Sequence, residues 1–476
     1  LFIVLSLFLL YLFLVGYGMR SFLKVGGGFF EQTALTLGAG ILVNHCLVLS
    51  GQHFARVFAA GGLIALWGAR ELWRDRGAWR EWTRENARTI FSISLLVGLA
   101  VVYSLYYVEM LSNPIRQWDA RSIWFFHARM IWIEGGLRQQ TGWNHPSVMF
   151  ANPDYPKLVP SIAAQLAYLK GYWNEFLPKG SLLVMLAPVM LWAFSFGRRG
   201  LSFVLLILSF FLSLGYWLTN GYMDWYLALY CGVALLSLGR YASEQRATDL
   251  YSAICALGIA ASIKYEGILF SLCLLVTLAL VSPICREISL WRLANRFRSD
   301  RSFAIMVLLA VAPTLMWALD KRAWGLQSAL ARDPSGSLAV ITDRLLDGPT
   351  AEYVLRAMTG QRTGLWTVFE VVVVVGMFTV VRGVTLSRGA LVSAVTSVLY
   401  CCALYVIYLS TPNVSWHLYT SVYRTMMVPC VAFVVGTFFL LSELEECAAA
   451  HEMPQRSGSG GGSKLQRQFD RVELVP

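Results

Sequence analysis

Of 476 residues, 57% are hydrophobic and only 14% charged, with a mean hydropathy of +0.57. A soluble domain sits nearer half apolar and about a quarter charged, so the soluble classes are excluded. Lys and Arg outnumber Asp and Glu, 39 to 28; in a chain of apolar runs this excess reports on topology first, and nucleic acid is not needed to explain it.

The runs predict an all-α polytopic membrane protein, since only helices of about this length satisfy their own backbone in a bilayer. In chain order the spans are expected near 1 to 18, 32 to 50, 54 to 69, 89 to 107, 181 to 197, 201 to 215, 223 to 239, 250 to 263, 267 to 284, 303 to 319, 364 to 381, 389 to 411 and 425 to 442, about thirteen in all. Together they make a transmembrane domain over 1 to 445, followed by a polar cytoplasmic tail over 446 to 476. The chain opens inside an apolar run, so its natural start is expected upstream of Leu1. Ser457 to Ser463 has flexible linker composition, native or an artificial scar.

Between the fourth and fifth spans lies a long loop, 108 to 180. Its segment QWDARSIWFFHARMIWIEGG carries Asp119, Arg121, His127 and Arg129 among aromatic residues. An amphipathic helix lying in the membrane interface accounts for the aromatics. Asp119 is then either its N-cap or a carboxylate held at headgroup level. Further along, NPDYPKLVP, residues 152 to 160, contains three prolines around Asp154, Tyr155 and Lys157. The prolines predict a rigid presentation loop rather than a helix, with a helix following at about 161 to 172. Asp154 is either held for chemistry or simply solvated in a turn.

Two short turns follow: TNGYMDWY at 219 to 226, where Asp224 opens a span, and SIKYEG at 262 to 267, where Lys264 and Glu266 sit between spans with almost no loop. Asp224 suits a helix N-terminus. A charge at such a junction must face a polar cavity, pair or snorkel. Lys264 either pairs with Glu266 or offers its ammonium to a phosphate. After a second long loop, 320 to 363, the last turn delivers His417, Tyr419 and Arg424 to the mouth of the final span. Arg binds phosphate oxygens bidentately or snorkels to headgroups.

Arg and Lys gather in alternate short connections: Arg70 to Arg88, Arg198 and Arg199, Arg240 and Arg246, Arg286 to Arg301, and Arg382 and Arg388. By the positive-inside rule these face the cytoplasm. The two long loops then face outward, each expected to carry interfacial helices. All nine cysteines fall within or at the ends of apolar runs without CxxC spacing, so neither a disulfide framework nor a thiolate metal site is expected. HExxH, Walker, GxSxG and nucleotide fingerprints are missing from the sequence. Energy for any reaction would have to arrive in an activated lipid.

In this respect the chain resembles the GT-C superfamily of integral-membrane glycosyltransferases, which use polyprenyl-phosphate sugars. It is most similar to the bacterial dolichyl-phosphate-mannose-protein mannosyltransferase-like and aminoarabinose-transferase-like branches. The resemblance covers about 100 to 430 and rests on WDA at Trp118 to Ala120, NPDYP at 152 to 156, GYMDWYLALY at 221 to 230, KYEG at 264 to 267 and HLYTSVYR at 417 to 424. It implies sugar transfer from a polyprenyl-phosphate donor to a glycan, lipid or protein hydroxyl, with inversion. The protein would sit among the lipids of a bacterial cytoplasmic membrane and face the periplasm, or alternatively sit in the endoplasmic reticulum membrane. Asp119 is implied as catalytic base. Ala120 and Arg121 follow it where members of the superfamily often show a second acid, so Asp119 acts alone or with Asp154. Lys264 and Arg424 are implied as phosphate ligands, with Glu266, Arg121, His127, Arg129, Tyr155, Lys157, Asp224 and His417 as further substrate-binding candidates. The resemblance fixes no cofactor, and a divalent metal, Mg or Mn, is compatible with the reaction class. The alternatives are a flippase or transporter of lipid-linked sugars, and a noncatalytic assembly subunit.

Overall fold

A computed structural model describes residues 2–23, 27–77, 90–138, 142–197, 200–212, 215–327, 334–360, 374–378 and 387–452. Among them secondary structure is helical throughout, with no strand. Seven helices are long and apolar enough to cross a membrane, and three shorter apolar ones accompany them. The protein is an all-α, membrane-embedded chain. Twelve of the thirteen expected spans coincide with helices; the one expected at 364 to 381 lies almost wholly outside the described residues. The helices Phe54–Arg74 and Asp224–Glu244, at the positions of two further expected spans, are not among these ten.

Three helices open the chain: α1 (Phe2–Arg20), α2 (Phe29–Leu49) and α3 (Phe54–Arg74). α4 (Ile90–Ser112) leads into the first long connection. There a π-helical turn, Ala120–Trp124, runs directly into α5 (Phe125–Ile133), and α6 (Leu158–Lys170) follows. The bundle centre is α7 (Gly180–Ser195) with the hairpin of α10 (Asp224–Glu244) and α11 (Ala247–Ile263). Between them pass α8 (Leu201–Ile207) and the one-turn α9 (Gly215–Thr219). α12 (Tyr265–Val281), α13 (Leu290–Ser299) and α14 (Arg301–Ala323) come next. The second long connection contains α15 (Pro334–Asp347) and α16 (Pro349–Thr359), and the chain closes with α17 (Arg388–Ser410), α18 (Val414–Thr425) and α19 (Met427–Glu452). α19 continues seven residues beyond the boundary expected at 445.

Every residue of α10 from Asp224 to Ala242 is buried, the charged Asp224 and Arg240 included. Tyr230 donates to the Met185 carbonyl of α7 at 2.8 Å, and Tyr226 to the Leu218 carbonyl of α9 at 2.8 Å. Such hydroxyls find a backbone partner because leaving them unmade in an apolar core costs about 1–3 kcal/mol.

The first connection is built differently from the interfacial layer expected of it. Trp124, Phe125, His127, Ala128 and Ile131 are buried in protein, and α6 is buried from Leu158 to Ala167. α6 is tied to α2 by a reciprocal amide pair, Asn44 to Gln165 at 2.8 Å and Gln165 to Asn44 at 3.1 Å. The second connection fits the expectation better, with Leu338, Leu345, Leu346, Tyr353 and Leu355 exposed along α15 and α16. α6 also begins at Leu158 rather than at 161. Pro160 therefore lies in a first helical turn, where its missing N–H removes nothing.

The chain alternates between two ends. The end bearing the two long connections holds the start of α10 and the junction of α11 with α12. At the opposite end the Arg-rich short connections meet: Arg388 donates to the Ala242 carbonyl at 3.1 Å and pairs with Glu287 at 3.0 Å, and Arg296 donates to Tyr241 at 2.9 Å.

Candidate functional site

Four segments far apart in sequence converge at the loop-bearing end. Gly221 turns the chain from α9 into α10 at φ +88°, and a β-carbon there would lie 2.7 Å from that of Ala120. Glycine is the residue that tolerates both constraints. It brings Asp224, the first residue of α10, against the π turn that follows Asp119. On the other side Lys264 alone, in extended conformation, separates α11 from α12. Gly267 permits so sharp a junction, since a β-carbon would sit 2.2 Å from the Ala260 carbonyl oxygen. α18 brings in Arg424 near its C-terminal end.

The resulting cluster contains three carboxylates and two cations. Arg424 donates to Asp119 and also approaches Asp224 at 3.6 Å. Lys264 contacts Asp224 at 2.8 Å and Glu266 at 3.0 Å. The guanidinium lies 4.9 Å from the ring centre of Tyr222, whose other neighbour is Trp217 at 5.4 Å. Asp224 and Lys264 are 6% and 9% exposed at their side chains, but Glu266, Asp119 and Arg424 reach 25%, 20% and 17%. The cluster is thus sealed at its base and open at its rim.

Asp119 makes no side-chain capping bond, so helix capping does not account for it. The π turn widens the helix there, a distortion often found at functional sites. Asp224 stands one residue inside its helix, with Met223 in the capping position. Lys264 does pair with Glu266, and Asp224 is its nearer partner.

The other candidates lie elsewhere. Asp154 is buried rather than solvated; its carbonyl accepts from Trp317 at 3.0 Å and from the Tyr265 hydroxyl. Lys157 is completely buried and donates to the carbonyls of Pro153 at 2.7 Å and Tyr155 at 2.8 Å. The rings of Trp143 and Trp317 flank its ammonium at 4.5 and 4.8 Å. Burial pushes this ammonium well below the usual lysine range, against the opposing charge of Asp154. His127 sits 3.3 Å from it and edge-on to Trp143, with burial holding its ring neutral. Lys157 and His127 therefore pin the 152 to 158 loop from inside and do not face a substrate. Arg121 and Arg129 are exposed, and His417 packs edge-on against Trp416 at 4.9 Å. Tyr155 bridges the two regions, with Trp124 at 5.7 Å and Tyr265 at 6.0 Å.

Sequence reasoning missed Tyr222, Tyr265 and Lys321. Lys321 donates to the Tyr265 hydroxyl at 2.6 Å from the end of α14; no local pattern marks a lysine at a span end for that purpose. Among the described residues no group of three His, Cys, Asp or Glu side chains is arranged to hold a metal ion. The three carboxylates instead share two cations. No family model matches the chain, and neither a curated protein nor a solved structure does.

Proposed function

We propose that the protein is a glycosyltransferase that moves a sugar from a polyprenyl-phosphate donor to a hydroxyl acceptor, in keeping with the GT-C resemblance of its motifs. One observation carries the reading: Arg424 is shared between a rim carboxylate, Asp119, and a base carboxylate, Asp224, beside a second cation, Lys264. An isolated buried charge is costly, so this set is stable only as mutual pairs, and the pairs exchange when another anion arrives.

The donor phosphate is such an anion. Its oxygens draw Arg424 away from Asp119 and take a bond from Lys264. Asp119 is then free to accept the proton of the acceptor hydroxyl. As the acceptor oxygen bonds to the anomeric carbon, the carbon–oxygen bond to phosphate breaks and its electron pair stays on the phosphate. The two cations stabilise that growing charge. Attack from the face opposite the leaving group inverts the anomeric centre. On this reading the loop-bearing end faces the periplasm of a bacterial cytoplasmic membrane, and the acceptor is a glycan, lipid or protein.

The test is the purified chain in lipid nanodiscs with a panel of polyprenyl-phosphate sugars, measuring released polyprenyl phosphate. Sugar-dependent release that is lost in Asp119→Asn supports the reading. Absence of release across the panel, or full release by the variant, overturns it.

A further inference from the structure

A cavity of about 730 Å³ opens at the same end, and its lining includes none of the five charged residues of the cluster. The turn between α2 and α3 supplies Gln52 and His53, and the first turn of α3 supplies Arg56. Arg138 follows α5, and Asp320 and Trp324 close the far wall at the end of α14. The volume falls in the range of roughly 300–1,000 Å³ typical of small-molecule sites.

The walls are pre-arranged. His53 is fixed by accepting from the Ala55 amide at 3.2 Å and by edge contact with Tyr168 at 5.6 Å. Trp324 is held edge-on to Trp317 at 5.7 Å. The charges, by contrast, are available. Arg56 is bonded only to its neighbour Gln52 at 3.0 Å, and neither Arg56, Arg138 nor Asp320 belongs to an ion pair among the described residues.

Each wall restricts the ligand. Two guanidinium groups without an ion pair among the described residues select an anion. Asp320, in the lining of the same cleft, repels a bare anion but accepts hydrogen bonds from hydroxyls. A fixed tryptophan offers an apolar face with a polar edge, which suits the C–H face of a sugar ring. Only a polyhydroxylated ligand carrying acid groups satisfies all three.

We propose that this cleft is a binding site for an acidic sugar chain, and that it holds the acceptor of the transfer reaction. The word acceptor rests on the transferase reading; the sugar site does not. The link between them is short. Lys321, next to Asp320, donates to the hydroxyl of Tyr265, and Tyr265 lies between Lys264 and Glu266.

The experiment measures binding of trigalacturonate to the full chain in nanodiscs, with maltotriose and inorganic phosphate as comparisons. Trigalacturonate is expected to bind saturably, maltotriose at least tenfold more weakly, and phosphate is expected not to displace it. The double variant Arg56→Gln, Arg138→Gln should weaken binding at least tenfold, and Asp320→Ala should weaken it severalfold, each with an unchanged unfolding temperature. Asp119→Asn and Arg424→Gln should bind as well as the parent. No saturable binding, equal binding of maltotriose, displacement by phosphate, or indifference to both sets of cleft substitutions overturns the proposal. Binding with the expected variant dependence in a protein that consumes no lipid-phosphate sugar would leave the sugar site standing and sink the transferase reading instead.

Discussion

The α10–α11 hairpin carries a buried charge cluster at each end, and the two ends solve the same electrostatic problem differently. Asp224 and Arg240 stand sixteen residues apart on one helix, about 24 Å at 1.5 Å per residue. At the Arg-rich end, Arg240 donates to Glu31 at 2.8 Å and Asp249 at 2.5 Å, and Arg246 reaches Glu31 and lies 3.6 Å from Asp249. Arg240 also stacks on Phe196 at 4.0 Å. Glu31, Asp249 and Arg240 are enclosed, and Arg246, which also pairs with the exposed Glu244 at 3.4 Å, brings this end to three acids and two bases with two of the five side chains reaching solvent. At the loop-bearing end, three acids face two bases and three of the five side chains reach solvent. The enclosed trio from α2, α10 and α11 fastens helices together. The loop-bearing end encloses only the Asp224–Lys264 pair and holds its other three charges at the rim, where a ligand can reach them.

Substitutions at each end should separate these roles. The largest effect is expected from Asp119→Asn, which keeps size but cannot take a proton: transfer falls by about two to four orders of magnitude, while the unfolding temperature in detergent holds. Loss of stability without loss of rate would move Asp119 into the fastening class. Next, Arg240→Met at the opposite end leaves two buried carboxylates to share Arg246; breaking a buried pair costs about 3–5 kcal/mol, read as a fall in unfolding temperature. Its turnover per folded molecule should stay at the parental value, and a selective loss of turnover would show that the two ends are coupled.

Lys264→Met tests the middle case, because this lysine serves two acids and, on the proposed reading, a phosphate. Donor affinity and transfer rate should fall together, by roughly tenfold or more each. A variant that binds and transfers normally yet melts earlier would make Lys264 a fastener like Arg240.

The smallest effect concerns Lys157, whose ammonium burial holds below the usual lysine range. With a depressed folded value, the unfolded chain binds more protons between that value and the ordinary one, so stability rises with pH across that alkaline window. Lys157→Met should flatten the rise, as measured by unfolding temperature against pH. An unchanged slope would mean that the cage of carbonyls and tryptophans keeps the charge in place.

Much of this arrangement was legible in the sequence, for reasons that differ by residue. Asp119, Asp224, Lys264, Glu266 and Arg424 could be singled out because charge at a span end needs a partner. Their meeting could not be read, because it depends on how α18 and the π turn pack, and on Gly221 and Gly267 allowing close approach. The helices were visible as apolar runs, whereas the burial of α5 and α6 was not: their aromatics read equally well as lipid-facing or as core. Lys157 misled for a related reason. A lysine among prolines suggests presentation to solvent, and only the tertiary fold closes Trp143 and Trp317 around it.

The sharing of Arg424 between two carboxylates also bears on turnover. A pocket whose cations had no internal partners would hold a departing lipid phosphate tightly and become trapped by its own product. Here Asp119 and Asp224 stay within reach of the guanidinium, and on the proposed reading they would compete for it once transfer is complete. Reclosure of those pairs would expel the spent carrier, so the acids that hold the resting site together would also set the rate at which it empties.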